Sequence, residues 1–258
     1  MKEPFHSYSI RSEWKGRVDT PATIGAKFVK TLDALSSVDP IFANWVIADI
    51  RNSSSLSLDD ARPRIASLIE DGVVRDDFKL PAPRFGYHAR ALAGQDGDPR
   101  SATFWLDAGG KDDGRTELEF ANLNVPPDLA VVTYPRFKAA LLAINAIWRA
   151  PWACAQAFRT GTVKVPIDLG GVPAFRIDGV TPVPLDPTFP YSIFHIPWIG
   201  YLAPALASGL KLTPEILTER TPDGGLLMSA TTERLDPDNP QHARRARILT
   251  EAMIACTG

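Results

Sequence analysis

The chain has 258 residues, a length that supports one large domain or two smaller ones. Its hydrophobic fraction of 45% and charged fraction of 22% are ordinary for a globular protein and exclude a disordered tail or a collagen-like rod. A net charge of -2 provides no general basic field for a phosphate backbone, so we expect no direct nucleic-acid partner.

The first elements predicted along the chain are a strand and a helix. Residues 8–14 alternate apolar and polar side chains with the period of a half-buried strand. Thr20 followed by proline is a helix-start signal, and the apolar spacing after it predicts an amphipathic helix ending near Asp39. Residues 41–50 are rich in β-branched and aromatic side chains and fit a helix end or a strand equally well.

A second helical region follows. Ser57 and Asp60 resemble a capping box, and an apolar stripe continues from them up to Gly72. Pro63 lies inside that window, where it would interrupt a regular helix. Either the first turn is therefore separate, or the regular helix begins near the proline.

Three runs with strand periodicity come next, at residues 85–92, 101–107 and 115–121. The loops between them are rich in glycine and aspartate and suit hairpin connections, so the pattern predicts an antiparallel β-meander. The aspartate-rich residues 107–114 lack the ligand spacing of a calcium loop, and we interpret them as a solvated turn.

The paired prolines within residues 124–129 mark the best candidate boundary. We expect a single domain over residues 1–258, with subdomains 1–123 and 130–258 as the alternative. A helix is predicted to start near Pro135 because apolar side chains then recur at helical spacing.

Residues 187–210 carry no Lys, Arg, Asp or Glu. Four prolines would break a membrane-spanning helix there, so we expect a buried strand followed by a loop, and no membrane partner. Beyond it, two apolar runs flanking residues 221–225 predict a hairpin, and Asn239 followed by proline opens a final helix.

These elements favour an α+β fold, with an antiparallel β-meander or mixed sheet and a few packed amphipathic helices. The joint after helix 22–36 resembles the joint after helix 135–149. Two related halves and chance similarity both remain open as explanations of that likeness.

Motifs for phosphate loops, dinucleotide binding, nucleophile elbows and zinc helices are absent from the sequence. We therefore assign no cofactor, no metal site and no catalytic residue. Cys154 with His195 is the candidate nucleophile and base of a rival interpretation as an enzyme. Two cysteines cannot form a disulfide framework, and residues 1–14 hold no apolar signal segment, so we expect a cytoplasmic protein with reduced thiols.

Acidic side chains are concentrated in two places. Residues 94–128 hold three basic and eight acidic residues. Glu70 and Asp71 lie at the end of a predicted helix, where the helix dipole disfavours negative charge, and two further aspartates follow closely. These carboxylates are candidates for contact with a partner, although a solubilising surface is the simpler explanation of them.

Three segments resemble a known family. They are YSIRSEWKGR at residues 8–17, a helix over residues 20–45 with the ending D-P-x-F-x-x-W, and ERTPDGGLLMSATTERLDPDNPQHARRARIL at residues 219–249. Together they are similar to the immunity protein 52 family of bacterial polymorphic toxin systems. The resemblance implies a small cytosolic protein that binds and neutralises a cognate nuclease toxin of restriction-endonuclease fold.

A nuclease needs a basic cleft for DNA, so an acidic surface could steer the chain to it. The candidate contact residues are Glu70, Asp71, Asp76, Asp77, Asp112, Asp113 and Glu117. Two other interpretations compete: an enzyme of unrecognised chemistry, and a scaffold subunit with a permanent partner. The sequence leaves the oligomeric state open.

Overall fold

The computed structural model describes residues 5–93, 101–111, 119–126, 130–160, 165–169, 172–176, 196–208, 210, 213–236 and 239–255. The chain divides into two compact units, the N-unit (Ile10–Ala150) and the C-unit (Met1–Ser9 with Pro151–Gly258). Helices and antiparallel strand pairs confirm the predicted α+β class. The units divide after Ala150 and not within residues 124–129, and the assignment of the whole chain to one domain stays a prediction.

The described residues of the N-unit form four α-helices and six strands. In chain order these are β1 (Phe5–Trp14, of which residues 10–14 belong to this unit), α1 (Pro21–Val38), β2 (Trp45–Asp49), β3 (Ser54–Ser57), α2 (Leu58–Ala61), α3 (Ile65–Asp71), β4 (Tyr87–Ala93), β5 (Ala102–Ala108), β6 (Glu119–Val125) and α4 (Tyr134–Trp148).

The strands of the N-unit lie in the order β1-β6-β5-β4-β2-β3. Antiparallel pairing joins β4 to β5 and β5 to β6, which confirms the predicted meander. Alternate side chains of β5 and β6 are buried, and the ring of Phe28 on α1 lies 5.7 Å from the ring of Phe104 on β5. Helix α1 also packs against α3 and α4, so the apolar core lies between these helices and one face of the sheet.

Local signals set the helix boundaries. The side chain of Thr20 accepts a hydrogen bond from the backbone N–H of Thr23, so it caps α1 as predicted. Of the two alternatives for residues 41–50, the strand is correct, because β2 follows a short 3₁₀ turn. The first turn after Ser57 is separate: α2 is followed by a 3₁₀ turn at Arg62–Arg64, which accommodates Pro63, and then by α3.

A cluster of aromatic and polar side chains fills part of this core, and we call it the interior cluster (Trp14, Arg17, Thr31, Glu119 and Trp148). The two indole rings stack with centroids 5.2 Å apart and an interplanar angle of 5°. Trp14 Nε1 donates to the carboxylate of Glu119, and Trp148 Nε1 donates to Thr31 Oγ1 at 3.0 Å. Arg17 Nη2 donates to the carbonyl of Trp148 at 2.7 Å, so the cluster joins β1, α1, β6 and α4.

The C-unit also combines helices with antiparallel strands. In chain order they are β7 (Trp152–Thr160), β8 (Val165–Leu169), β9 (Val172–Arg176), β10 (Ile196–Leu202), α5 (Pro204–Ala207), β11 (Leu217–Arg220), β12 (Leu226–Ser229) and α6 (Pro240–Ala255). Its larger sheet has the order β11-β12-β10-β7-β1, while β8 and β9 form a separate antiparallel pair.

Two predictions for this unit are confirmed. The hairpin β11–β12 pairs antiparallel around residues 221–225, and the final helix starts after Asn239. The uncharged stretch contains β10 as its expected strand, and its residues 187–195 lie outside the described residues. Helix α6 approaches β10 closely at Gly200, where an added Cβ would lie 2.6 Å from Met253 Sδ. Of the helices described, none has the length and apolar character needed to cross a bilayer.

Candidate functional site

The segment at residues 72–88 runs from the end of α3 into the first residues of β4 in the N-unit, and it carries two of the exposed large hydrophobic side chains, Phe78 and Leu80. The backbone N–H of His88 donates to the carbonyl of Gly72 at 2.8 Å, and Val74 N–H donates to the carbonyl of Gly86 at 3.0 Å. An added Cβ on Gly72 would lie only 2.1 Å from the carbonyl oxygen of His88, so glycine is required for this approach. The two ends of the segment are therefore fixed against each other.

The tip of this segment is a tight turn at residues 76–80. The carboxylate oxygen Oδ1 of Asp76 accepts hydrogen bonds from the backbone N–H groups of Phe78 and Leu80, both at 3.0 Å. Arg75 Nη1 donates to the carbonyl of Lys79 at 2.9 Å, and Lys79 has a φ of 64°. The turn holds Phe78 and Leu80 in solvent, with 83% and 61% of their surfaces exposed.

Two open cavities lie beside the segment and share Val74, Arg75 and His88. The first has a volume of about 530 Å³, and the second has about 780 Å³. The remaining residues of the first are Asp76, Asp77, Phe78, Arg84, Phe85 and Asp107, and those of the second are Ile50, Arg51, Asp71, Gly72 and Val73.

The structure places the acidic candidate residues differently from one another. Asp71 lies 3.9 Å from Arg51, and this positive charge offsets the negative charge of Asp71 at the end of α3. The carboxylate of Asp76 accepts hydrogen bonds within the turn. Glu70 and Asp77 are exposed to solvent, and only Asp77 of these two lines a cavity. The other three, Asp112, Asp113 and Glu117, lie outside the described residues.

The described part of this surface carries charges of both signs. Arg51, Arg75 and Arg84 line the same cavities as Asp71 and Asp77. The guanidinium of Arg84 lies over the ring of Phe85, with 4.6 Å to the ring centroid. The electrostatic character around residues 70–77 is therefore mixed, because the sequence count of carboxylates did not include the arginines that the fold brings beside them.

A histidine and a carboxylate form a pair at the mouth of the first cavity. His88 Nδ1 lies 3.3 Å from Asp107 Oδ2, across a directly paired position of β4 and β5. The hydrogen bond with Asp107 raises the pKa of His88, and burial opposes that rise. Such a pair can hold a proton, but no Ser, Thr, Cys or Tyr is found among the described residues that line either cavity.

The exposed surface continues from this pair along the sheet. Arg90 lies opposite Trp105 on the neighbouring strand, and its guanidinium is 4.7 Å from the centroid of one ring of Trp105. Trp105 is 42% exposed.

The exposed residues Phe78, Leu80 and Trp105 were not predicted from the sequence as site residues. The signal for the first two was present, since two large apolar residues stand in a loop sequence of charged residues and prolines.

Of the two residues of the rival enzyme interpretation, only Cys154 lies within the described residues. Cys154 lies on β7 with 1% exposure, and its Sγ is 3.4 Å from the carbonyl oxygen of Ala155. His195 lies outside the described residues. Among those described, no group of three or more His, Cys, Asp and Glu side chains is arranged to hold a metal ion. The expectation of no metal and no cofactor stays a prediction.

The fold and this surface define an α+β protein whose N-unit presents an exposed apolar turn beside open cavities. In comparisons with known proteins, no family model matches the chain, and no curated protein matches it. Among solved structures, the chain is similar to the Pseudomonas aeruginosa T6SS protein PA0821, with a TM-score of 0.53 and 10% sequence identity over 98% of this chain and 76% of that chain. At this identity the likeness shows a shared fold alone. The resemblance to the immunity protein 52 family stays a prediction.

Proposed function

We propose that this chain is an immunity protein that binds and neutralises a toxin of a bacterial secretion system. The observation that carries the proposal is the fold, which the chain shares over 98% of its length with a T6SS protein. The sequence resemblance adds the class of partner, a nuclease toxin of restriction-endonuclease fold. On this proposal the chain acts in the cytoplasm as a stoichiometric inhibitor, without a cofactor and without touching nucleic acid itself.

The surface of the N-unit supports a binding role physically. Large apolar side chains held in water favour association, because burial against a partner removes them from solvent. Asp77 is exposed directly before Phe78 in the chain, and Glu70 is exposed near the end of α3, and both can attract the basic cleft that a nuclease needs. Electrostatic attraction of this kind raises the rate of encounter more than the lifetime of the complex.

The test uses a defined partner, the product of the gene beside this one in the source genome. That protein is expressed in a host with and without this chain, and growth and DNA cleavage are measured. We expect the neighbour to be toxic, the chain to restore growth, and cleavage to stop at an equimolar ratio. A toxic neighbour that the chain neither binds nor neutralises would contradict the proposal.

A cysteine variant separates binding from catalysis in the same assay. Cys154→Ala removes the candidate nucleophile at a buried position that lies between Ala153 and Ala155 in the sequence of β7. An inhibitor that acts by binding keeps its protection in this variant and requires one chain per toxin. Protection by substoichiometric chain, lost in Cys154→Ala, would instead support the enzyme. A stable complex in which the neighbour keeps its cleavage activity would support a scaffold subunit.

A further inference from the structure

We propose that Phe78 and Leu80 form an apolar anchor that inserts into a pocket of the toxin. This inference rests on the proposed function and specifies the surface by which it is carried out. The anchor is held out by the turn at residues 76–80, and the partner surface that fits it is an apolar pocket bordered by charges of both signs.

The first support is the clustering of exposed apolar side chains. The described residues expose six large hydrophobic side chains, and four of them lie on or beside the 72–88 segment. Phe78 and Leu80 are in its turn, Ile50 lines the second cavity, and Trp105 follows the pair of His88 and Asp107 along the sheet. Isolated exposed apolar residues are ordinary on a protein surface, whereas several on neighbouring elements are typical of an interaction site.

The second support is the rigidity of the turn. Besides the two bonds accepted by the side chain of Asp76, its backbone N–H donates to the carbonyl of Leu80 at 3.0 Å, and its carbonyl accepts from Lys79 N–H at 2.9 Å. Ala82 N–H closes the base of the turn on the carbonyl of Val74 at 2.8 Å. A loop whose backbone is already fixed loses little backbone conformational entropy on binding, and such preorganisation favours affinity.

The third support is the way Lys79 is held. Its φ of 64° is in the left-handed region, which is unfavourable for a residue with a Cβ. The hydrogen bonds around Lys79 maintain this conformation. As a result of this conformation, the chain reverses between Phe78 and Leu80. A strained backbone that keeps a phenylalanine 83% exposed gives the isolated chain no packing benefit.

The charges around the anchor favour a folded protein as the occupant. Asp77 and Lys79 stand on either side of Phe78 and are exposed. A surface of anionic lipid or of nucleic acid would attract Lys79 but repel Asp77 directly beside the inserted ring, so it would not match both charges. The basic cleft of a nuclease attracts Asp77, and a folded protein can also place an acidic or carbonyl group opposite Lys79.

The experiment measures the affinity of purified chain for the toxin of the preceding section, made harmless by an active-site substitution. The variants are Phe78→Ala and Leu80→Ala. The matched controls are Val18→Ala and Leu217→Ala, which truncate side chains of 77% and 48% exposure, one in each unit. We expect Phe78→Ala to weaken binding by about thirtyfold or more, mostly through faster dissociation. Leu80→Ala should weaken it less, and the controls should change it by less than about threefold.

The outcomes separate the anchor from the proposed function. Because Phe78 is 83% exposed, the melting temperature of Phe78→Ala should stay within about 2 °C of the unchanged chain. Unchanged affinity of Phe78→Ala, with normal neutralisation, would overturn the anchor and leave the immunity function in place. A loss of affinity equal to that of the Val18→Ala control would do the same. Failure of the unchanged chain to bind any toxic neighbour would overturn both proposals.

Discussion

Two regions of the N-unit combine aromatic and charged side chains, but the aromatic rings are buried in one region and exposed to solvent in the other. In the interior cluster, Trp14 and Trp148 are at most 2% exposed, and their indole N–H groups bond to Glu119 and Thr31. At the 72–88 segment, the polar groups bond within the turn, while the ring of Phe78 is left in water. The same residue types therefore stabilise the fold in one region and remain available to a partner in the other. Substitutions in the two regions should separate stability from binding.

The largest effect on stability is expected from Trp148→Ala. Trp148 is only 1% exposed, and the change removes its ring together with the stacking on Trp14 and the hydrogen bond to Thr31. Truncation of a buried tryptophan typically lowers the free energy of unfolding by about 3–5 kcal/mol. Chemical denaturation of the two proteins measures the difference.

Trp105→Ala is the matched control for that measurement. Trp105 is 42% exposed and contacts Arg90 on the neighbouring strand, so its loss should lower the free energy of unfolding by less than about 1.5 kcal/mol. Equal destabilisation by the two variants would mean that the contrast between interior and outward-facing aromatic residues does not govern stability.

A second effect, intermediate in size, is a dependence of stability on pH through Glu119. Burial raises the pKa of this carboxyl to about 7, while the N–H groups of Trp14, Gly110 and Arg17 oppose the rise. The folded chain then binds the proton more tightly than the unfolded chain between the ordinary value of 4.5 and about 7. The free energy of unfolding should therefore fall as pH rises through this window, by at most about 1.4 kcal/mol per pH unit.

Glu119→Gln isolates this contribution, because an amide does not titrate. The difference in free energy of unfolding between the unchanged chain and the variant should shift with pH between 4.5 and 7 and become constant above that range. Denaturation at several pH values measures it. A difference that is independent of pH throughout the window would show that Glu119 keeps an ordinary pKa in the folded chain.

Elements that depend on local contacts can be predicted from the sequence, and elements that depend on distant contacts cannot. The meander strands and the cap of α1 at Thr20 depend on alternation and on hydrogen bonds within a few residues, so local patterns predict them. Residues 41–50 could not be assigned, because the choice depends on distant contacts. Trp45 stacks on Phe42 and donates from Nε1 to the carbonyl of Leu32 at 3.2 Å, which places it in a buried strand.

The partner contacts of residues 70–77 stay a prediction, but the structure adds what a count of carboxylates does not contain. Arg51 and Arg84 come beside these residues only through folding. Asp76 is a predicted contact residue, and its carboxylate also accepts two backbone N–H groups of the turn, a local bond that aspartate favours. The exposure of Phe78 is not encoded in hydrophobicity, which by itself predicts burial.

A third, smaller effect is expected when the turn loses its carboxylate acceptor. Asp76→Ala removes the acceptor of the N–H groups of Phe78 and Leu80, so the turn should open more often. We expect hydrogen exchange at these two amides to accelerate about tenfold, the equivalent of about 1.4 kcal/mol. Asp76→Asn retains an acceptor oxygen and should exchange close to the unchanged rate. Equal exchange in all three proteins would mean that other contacts hold the turn.

The smallest effect concerns the pair of His88 and Asp107 at the edge of the anchor surface. The hydrogen bond with Asp107 raises the pKa of His88 above its ordinary value, so the folded chain is stabilised by protonation of His88. That stabilisation is fully present at pH values below the pKa of the unfolded state, and it is lost as pH rises through the raised pKa of the folded state. Because the side chain of His88 is 55% exposed, solvent screening limits the contribution to a few tenths of a kcal/mol.

Titration of the His88 ring by NMR detects this pair more sensitively than denaturation. Asp107→Asn should lower the pKa of His88, because the amide cannot supply the negative charge that favours the imidazolium. Asp33→Asn is the control, since Asp33 pairs with Arg62 on a different surface element and should leave His88 unchanged. An unchanged pKa in Asp107→Asn would mean that the 3.3 Å contact carries no charge interaction in solution. The exposed surface would then differ from the interior cluster in exposure and also in electrostatics, since the fold shifts the pKa of Glu119 in the interior cluster but would not shift that of His88.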